Sequence, residues 1–307
     1  MAEHLPVLCA ETVAALLGVD GERKVFVDGT FGRGGHARAL LDALDAQARL
    51  IVIDRDPEAV AAAHELAAAD SRVSICQGPF SAITELLAGI GITSADGILL
   101  DIGVSSPQLD DPGRGFSFQH DGPLDMRMDP EHGQSAADWL NSADESQISR
   151  VLHELGEERF ARRIAAAIVA ARPLQTTAQL AEVISAAQPA TRNRSKHPAT
   201  RSFQAIRMYI NDELGELETA LESAFELLRP GGRLAVITFH SLEDRMVKRA
   251  FKSLASPAPL PRHLPVRDAD RRIRGRLVSG PQRAGTRELT ANPRARSATL
   301  RVVERSC

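Results

Sequence analysis

Two spacings of apolar residues alternate through the first third of the chain. Short unbroken runs, Val25-Phe26-Val27, Leu50-Ile51-Val52-Ile53, Val73-Ser74-Ile75-Cys76 and Gly97-Ile98-Leu99-Leu100, have the pattern of strands buried on both faces, as in a parallel sheet. After the second run comes an alanine-rich stretch, 58–68, whose start carries Asp56 as an N-cap and Pro57 at the first helical position. Strands alternating with helices predict an α/β fold built on a Rossmann-like parallel sheet. Much later, Arg229-Pro230-Gly231-Gly232 turns the chain into a fifth strand over 233–239. Residues 297–303 alternate as a final strand, expected antiparallel beside the fifth.

The strand pattern stops after Asp101. Residues 108–128 are rich in Gly, Asp and Pro and read as a long loop crossing to another domain. Apolar residues then recur at three and four, which predicts helices over 136–140, 145–155, 157–171 and 177–187, with Trp139 in their core. One long helix over about 203–228 leads back to the sheet. The sheet domain is therefore expected to be discontinuous, residues 1–109 and 211–307, with a small helical domain, 110–210, inserted. Residues 256–293 are expected to be mobile without substrate.

Candidate chemistry begins where the first apolar run ends at Asp28 and passes into Gly29-Thr30-Phe31-Gly32-Arg33-Gly34-Gly35-His36. Gly32, Gly34 and Ala37 match the turn of dinucleotide-type sites, where glycine permits positive φ and lets a ligand approach the backbone as a helix begins. Gly29 and Gly34 have P-loop spacing, but Gly35-His36 stand where that loop needs Lys and Ser or Thr, which argues against an NTPase. Asp54 ends the second strand about twenty residues on, where a carboxylate accepts ribose hydroxyls. Ligands of open parallel sheets bind at the carboxyl ends of strands, so Asp28, Asp54 and Asp101 are expected on one rim. Each of them is also suited simply to capping the next helix. On these residues alone a nicotinamide-dependent oxidoreductase stays open.

With 307 residues, 43% of them hydrophobic, the chain is long enough for one α/β core and an insertion. Cys9, Cys76 and Cys307 show neither metal nor disulfide spacing, so a reducing cytoplasm and no metal site are expected. The start Met1-Ala2-Glu3-His4 lacks a leader pattern, and no apolar run is long enough to span a membrane. A formal net charge of -3 hides segregation: 183–211 contains no acidic residue but holds Arg192, Arg194, Lys196, Arg201 and Arg207. A second basic stretch runs over 262–283, with Arg267, Arg271, Arg272, Arg274 and Arg276, and is extended by Arg294, Arg296 and Arg301. Clustered guanidinium groups suit phosphates and base faces, which favours nucleic acid over a small metabolite, the alternative being a solvated charged surface.

Taken together, the glycine loop, Asp54-Arg55-Asp56-Pro57, Gly78-Pro79-Phe80-Ser81, Asp101-Ile102-Gly103-Val104-Ser105-Ser106-Pro107-Gln108, His197-Pro198-Ala199-Thr200-Arg201 and Phe239-His240-Ser241-Leu242-Glu243-Asp244 span nearly the whole chain. In that order they resemble the S-adenosylmethionine-dependent methyltransferases that modify cytosine N4 in 16S ribosomal RNA of the small subunit. The resemblance implies a class I methyltransferase sheet and places Gly34, Gly35 and His36 at the methionine part of the cofactor, Asp54 at the ribose and Phe80 at the adenine. Asp101 and Gln108 would complete that site.

Related amino-methyltransferases carry a Pro-Pro-aromatic loop after the fourth strand, and here Ser105-Ser106-Pro107-Gln108 takes its place. Ser106 is the first candidate for holding the amine and Asp101 the second, while Phe116, Phe118 or Phe239 could stack on the base. His240 and Glu243, after the fifth strand, suit either catalysis or helix capping. The helical insertion with Arg192, Arg194, Lys196 and Arg201 would grip the RNA. A non-catalytic RNA-binding protein is the remaining alternative, and a homodimer is left open.

Overall fold

In the computed structural model, residues 6–18, 24–189, 197–257 and 273–306 are described. Their strands are β1 (Val25–Asp28), β2 (Arg49–Asp54), β3 (Val73–Gln77), β4 (Ala95–Asp101), β5 (Leu228–Thr238), β6 (Gly275–Leu277) and β7 (Thr299–Arg305). They join in one sheet ordered β3-β2-β1-β4-β5-β7-β6. Pairs from β3 to β5 are parallel, whereas β7 runs antiparallel to both β5 and β6. Helices α1 (Cys9–Leu17), α2 (Gly35–Ala43), α3 (Pro57–Ala69) and α4 (Ile83–Gly89) alternate with the first strands. The insertion holds α5 (Ser106–Asp110), α6 (Ala136–Ser142), α7 (Glu145–Glu154), α8 (Ala161–Ala170), α9 (Thr177–Ala186) and α10 (Thr200–Ile210). Then α11 (Glu213–Leu227), α12 (Ser241–Leu254) and α13 (Thr286–Ala291) complete the chain.

Side-chain alternation divides the sheet's apolar residues between two layers. Val27, Ile51, Ile53 and Leu100 pack on one face with α4, α11 and α12, while Phe26, Leu50, Val52 and Leu99 pack on the other with α1, α2 and α3. Both faces being covered, the strands carry unbroken apolar runs instead of alternating with polar residues. Gly97 on β4 is paired with Phe26 and leaves room for it: a Cβ there would lie 2.7 Å from the ring.

The chain divides into two compact units, 1–103 with 215–307 and 104–214. These boundaries assign 104–109 and 211–214 to the helical unit, where the sequence pattern put them with the sheet. Trp139 is 5% exposed in that unit's core and packs against Tyr209 with ring centroids 4.4 Å apart. Within 108–128 the expected loop contains most of α5 and a short turn ending at Arg114, whose buried guanidinium donates to the carbonyls of Arg127 and Met128.

Two expectations are corrected, and a third element was missed. The single helix over 203–228 is broken into α10 and α11 at Asp212, which takes φ 47°. Asn211 holds the break: its buried side chain accepts from the Met128 amide at 2.7 Å and donates to the Met126 carbonyl at 2.8 Å. Periodicity carries no trace of one left-handed residue between two apolar faces. Second, part of the segment expected to be mobile is regular structure, namely β6 and α13, while 258–272 lie outside the described residues. Third, α1 went unforeseen because Leu8 precedes it in left-handed conformation without a side-chain cap, so no start signal exists. Replacing Asn211 by Ala strands two backbone groups and is expected to cost roughly 1–3 kcal/mol, read as a lower melting temperature. An unchanged melt would remove Asn211 from its role.

Candidate active site

Successive connections leave β1 in opposite directions, toward β2 and β3 on one side and β4 on the other, which opens a crevice at the carboxyl ends of β1 and β4. The glycine loop is anchored to both neighbours of β1. Gly29 donates its amide to the Leu99 carbonyl at 2.9 Å and Phe31 to the Ile53 carbonyl at 3.0 Å. Gly34 closes the turn on the Phe31 carbonyl at 2.8 Å with φ 74°. A Cβ on Gly34 would lie 2.6 Å from the buried Phe31 ring, and one on Gly35 would lie 3.1 Å from Pro6. No side chain caps α2 and no acid sits in its first turn, so its amino end keeps its partial positive charge for a ligand.

Opposite that positive end stand the carboxylates. Asp28 is 1% exposed; its Oδ1 accepts the Thr30 amide at 3.2 Å while Oδ2 is buried without a hydrogen-bond partner among the described residues. Burial pushes its pKa up to about 6 against the opposing pull of His36. Asp101 has a buried Oδ1 with no hydrogen-bond partner among the described residues and an Oδ2 3.5 Å from His36 Nδ1; burial pushes its pKa up to about 7. Its amide is fixed by Thr30 Oγ1 at 2.6 Å. His36 is buried, and its Nε2 lies 2.9 Å from the Val7 carbonyl, which can only accept; Nε2 therefore carries the proton. Burial pulls the imidazole pKa down, so neutral His36 turns a bare Nδ1 toward Asp101.

Asp54 is engaged differently. Its Oδ2 accepts from Gly32 at 2.8 Å and Oδ1 from Asp56 at 2.9 Å, bracing the glycine loop against the start of α3. Each oxygen retains acceptor capacity toward a hydroxyl. Phe80 begins a short turn after β3 and is half-buried, its Cβ 3.7 Å from where a Gly29 Cβ would be. So Asp28, Gly34, Gly35, His36, Asp54, Phe80 and Asp101 share the carboxyl-side rim of the sheet unit.

Over residues 1–306 the sequence matches the profile described as the MraW methylase family. This chain belongs to the MraW methylase family. It is a methyltransferase, and S-adenosylmethionine is its methyl donor. A protein of Aromatoleum aromaticum named ribosomal RNA small subunit methyltransferase H is 53% identical over 308 residues, covering 99% of this chain and 97% of its own. Its namesake in Bordetella petrii is 52% identical over 327 residues, covering 99% and 90%. The solved structure of an rRNA methylase from Streptococcus thermophilus aligns with TM-score 0.40 at 8% identity, over 98% of this chain and 93% of that one.

As an MraW methylase the chain has the class I methyltransferase sheet, its β7 inserted antiparallel between β5 and β6. Ser106 and Gln108 belong to α5 of the helical unit, both buried; Gln108 accepts from the Ser105 amide at 2.9 Å in a capping box. Glu243 and His240 likewise cap α12: Glu243 is 1% exposed and accepts the amides of Phe239 and His240 at 3.0 Å each. Phe116 and Phe118 pack in the core of the helical unit, leaving Phe239, half-buried after β5, at the rim.

The basic stretches look different once their partners are seen. Arg192, Arg194 and Lys196 lie outside the described residues. Arg201 is exposed and donates to the Glu157 carbonyl at 3.1 Å, whereas Arg207 is committed to Glu213 by two bonds of 2.6 and 2.7 Å. In the second stretch Arg274 pairs with Glu222 and Glu226, Arg276 with Glu304 and Arg301 with Asp244. In the second stretch sequence order separates the partners by 28 to 57 positions, so that pairing was invisible there. The cover of the loop by Pro6 and Val7 was equally unforeseen, since no local signal announces a contact that distant in the chain.

Proposed function

We propose that this protein methylates the exocyclic N4 amine of a cytidine in 16S ribosomal RNA of the small ribosomal subunit, acting in the cytoplasm. The names of its close relatives support the ribosomal substrate. One observation supports the cofactor reading above the rest: Asp28 and Asp101, on the rim that also carries the uncapped start of α2, each keep a buried carboxylate oxygen without a hydrogen-bond partner among the described residues. An anion-seeking end and a cation-seeking end on one rim suit the zwitterionic head of an amino acid. A dinucleotide pyrophosphate would meet two carboxylates instead, which disfavours the nicotinamide alternative.

Bound S-adenosylmethionine supplies an electrophilic methyl group on a sulfonium. On this reading the turn at Gly34 brings the backbone amides of Gly35 and His36 to its carboxylate, and Asp101 pairs with its ammonium. Asp54 accepts from the ribose, Phe80 covers the adenine and Gln108 completes the pocket. Ser106, with Asp101 in reserve, orients the cytosine amine, whose surplus proton leaves to solvent. Arg192, Arg194, Lys196 and Arg201 hold RNA phosphates. All the cofactor residues come from one chain, so the reading needs no second copy.

The test is to incubate the protein with radiolabelled S-adenosylmethionine and separately offer small subunits, free ribosomal RNA, DNA and protein. Label recovered as N4-methylated cytidine from ribosomal RNA is the expected result. Label recovered in DNA, in protein or in another nucleoside of ribosomal RNA would overturn the N4-cytidine assignment.

A further inference from the structure

Arg33, Arg201, Arg274 and Arg276 are exposed but partnered, whereas one cluster of exposed arginines is not. A groove of about 910 Å³ in the helical unit is lined by residues of α7, α8 and the link between them, among them Arg150, Arg159, Arg162 and Arg163. All four are exposed, and their guanidinium groups make no ion pair or hydrogen bond among the described residues. Two glutamates also line it, and one of these, Glu158, is 5% exposed and turned to the Phe160 amide at 3.1 Å. The groove therefore presents four free cations against a single exposed acid, Glu145.

Local sequence makes this arrangement costly. Arg162 and Arg163 occupy the first turn of α8, which contains no acid and has no side-chain cap, and Arg159 lies just before it. Cations at a helix amino end oppose the macrodipole, and like charges crowd one another, so the fold alone gives no reason for three arginines here. An anion in the groove would turn both penalties into attraction. Phe160, the N-cap residue of α8, is 36% exposed and lines the groove with these arginines.

We propose that the α7–α8 groove is a docking surface for single-stranded RNA, its phosphates held by Arg150, Arg159, Arg162 and Arg163 and one base stacked on Phe160. Guanidinium forks match phosphate oxygens, and an exposed aromatic interleaved with them is how proteins hold unpaired strands. The choice of RNA over another polyanion rests on the proposed function; the electrostatics of the groove do not.

Binding of a fluorescein-labelled mixed-sequence single-stranded RNA to the full-length protein, followed by anisotropy across a salt series, tests this without any methyl transfer. The Arg159→Gln/Arg162→Gln/Arg163→Gln variant is expected to bind about tenfold or more weakly and to lose about 2 from the slope of log affinity against log salt, near 0.7 per lost phosphate contact. Phe160→Ala is expected to weaken binding about tenfold and leave the slope unchanged, because stacking releases no counterions. Affinity for S-adenosylmethionine should stay at the wild-type value in both. A control with the same charge removed elsewhere, Arg49→Gln/Lys252→Gln/Arg287→Gln, should keep the wild-type slope.

Wild-type slope and affinity in the arginine variant would overturn the proposal, as would loss of binding to a polyglutamate probe with RNA binding intact, which would assign the groove to an acidic protein. A wild-type protein that binds RNA through this groove but methylates no ribosomal substrate would sink the proposed function and leave the groove standing.

Discussion

Replacing Asp101 by Asn is expected to weaken S-adenosylmethionine binding about 10- to 100-fold above neutral pH, the worth of a charge-assisted bond in a desolvated site. The wild-type protein should also bind the cofactor more tightly as pH rises toward about 7, by about tenfold per unit, and then level off. The reason is that burial holds the free carboxyl in its protonated form up to about 7, while a cationic ligand pairs only with the ionised form. Asp28, held up to about 6 by the same cause, adds to the lower part of that slope. Both folded-state values lie above the ordinary 3.8, so these groups stabilise the free fold at low pH. That contribution is lost as pH rises through the shifted values. Bound cofactor offsets the loss, so the melting shift it causes should grow with pH. Asn at this position keeps the shape and removes the titration. A variant that retains both the affinity and the slope would show that Asp101 does not face the cofactor.

Parallel strands and their terminal aspartates were legible because each is written in consecutive residues: an apolar run that stops at Asp28, Asp54 or Asp101 states both the strand and its end. The glycine loop was legible for the same reason. What escaped depends on residues far apart in the chain. Nothing near His36 reveals that the Val7 carbonyl fixes its tautomer, and nothing near Arg274 names Glu222 as its partner. Charge counting failed in both directions, marking as free several arginines that the fold neutralises while passing over the four around Phe160, which several glutamates flank in sequence but only Glu145 and the buried Glu158 join in the groove. The break at Asp212 escaped because one left-handed residue leaves the helical spacing on either side intact.

Ala at Gly34 is the substitution expected to separate the shape of the glycine loop from everything else at the rim. Gly34 has φ 74°, a conformation that costs other residues roughly 1–3 kcal/mol. Its new Cβ would also lie 2.6 Å from Phe31 Cε2 and Cζ and 3.1 Å from an Arg38 guanidinium nitrogen. Phe31 is 4% exposed in the core beneath the loop and cannot swing aside without opening a void. The loop must therefore shift, and with it the start of α2. Gly91 provides the comparison, since it has φ 75° but nothing within 4 Å of its Cβ position. Gly91→Ala should show the backbone cost alone, a modest fall in melting temperature with cofactor affinity untouched. Gly34→Ala should melt lower still and lose cofactor affinity about 100-fold, because amides aimed at a ligand lose most of their worth when displaced by an ångström. Calorimetry on the two variants side by side measures the difference. Equal affinities in the two would mean that the α2 amides do not hold the ligand, and the carboxylate of the cofactor would have to be sought elsewhere on the rim.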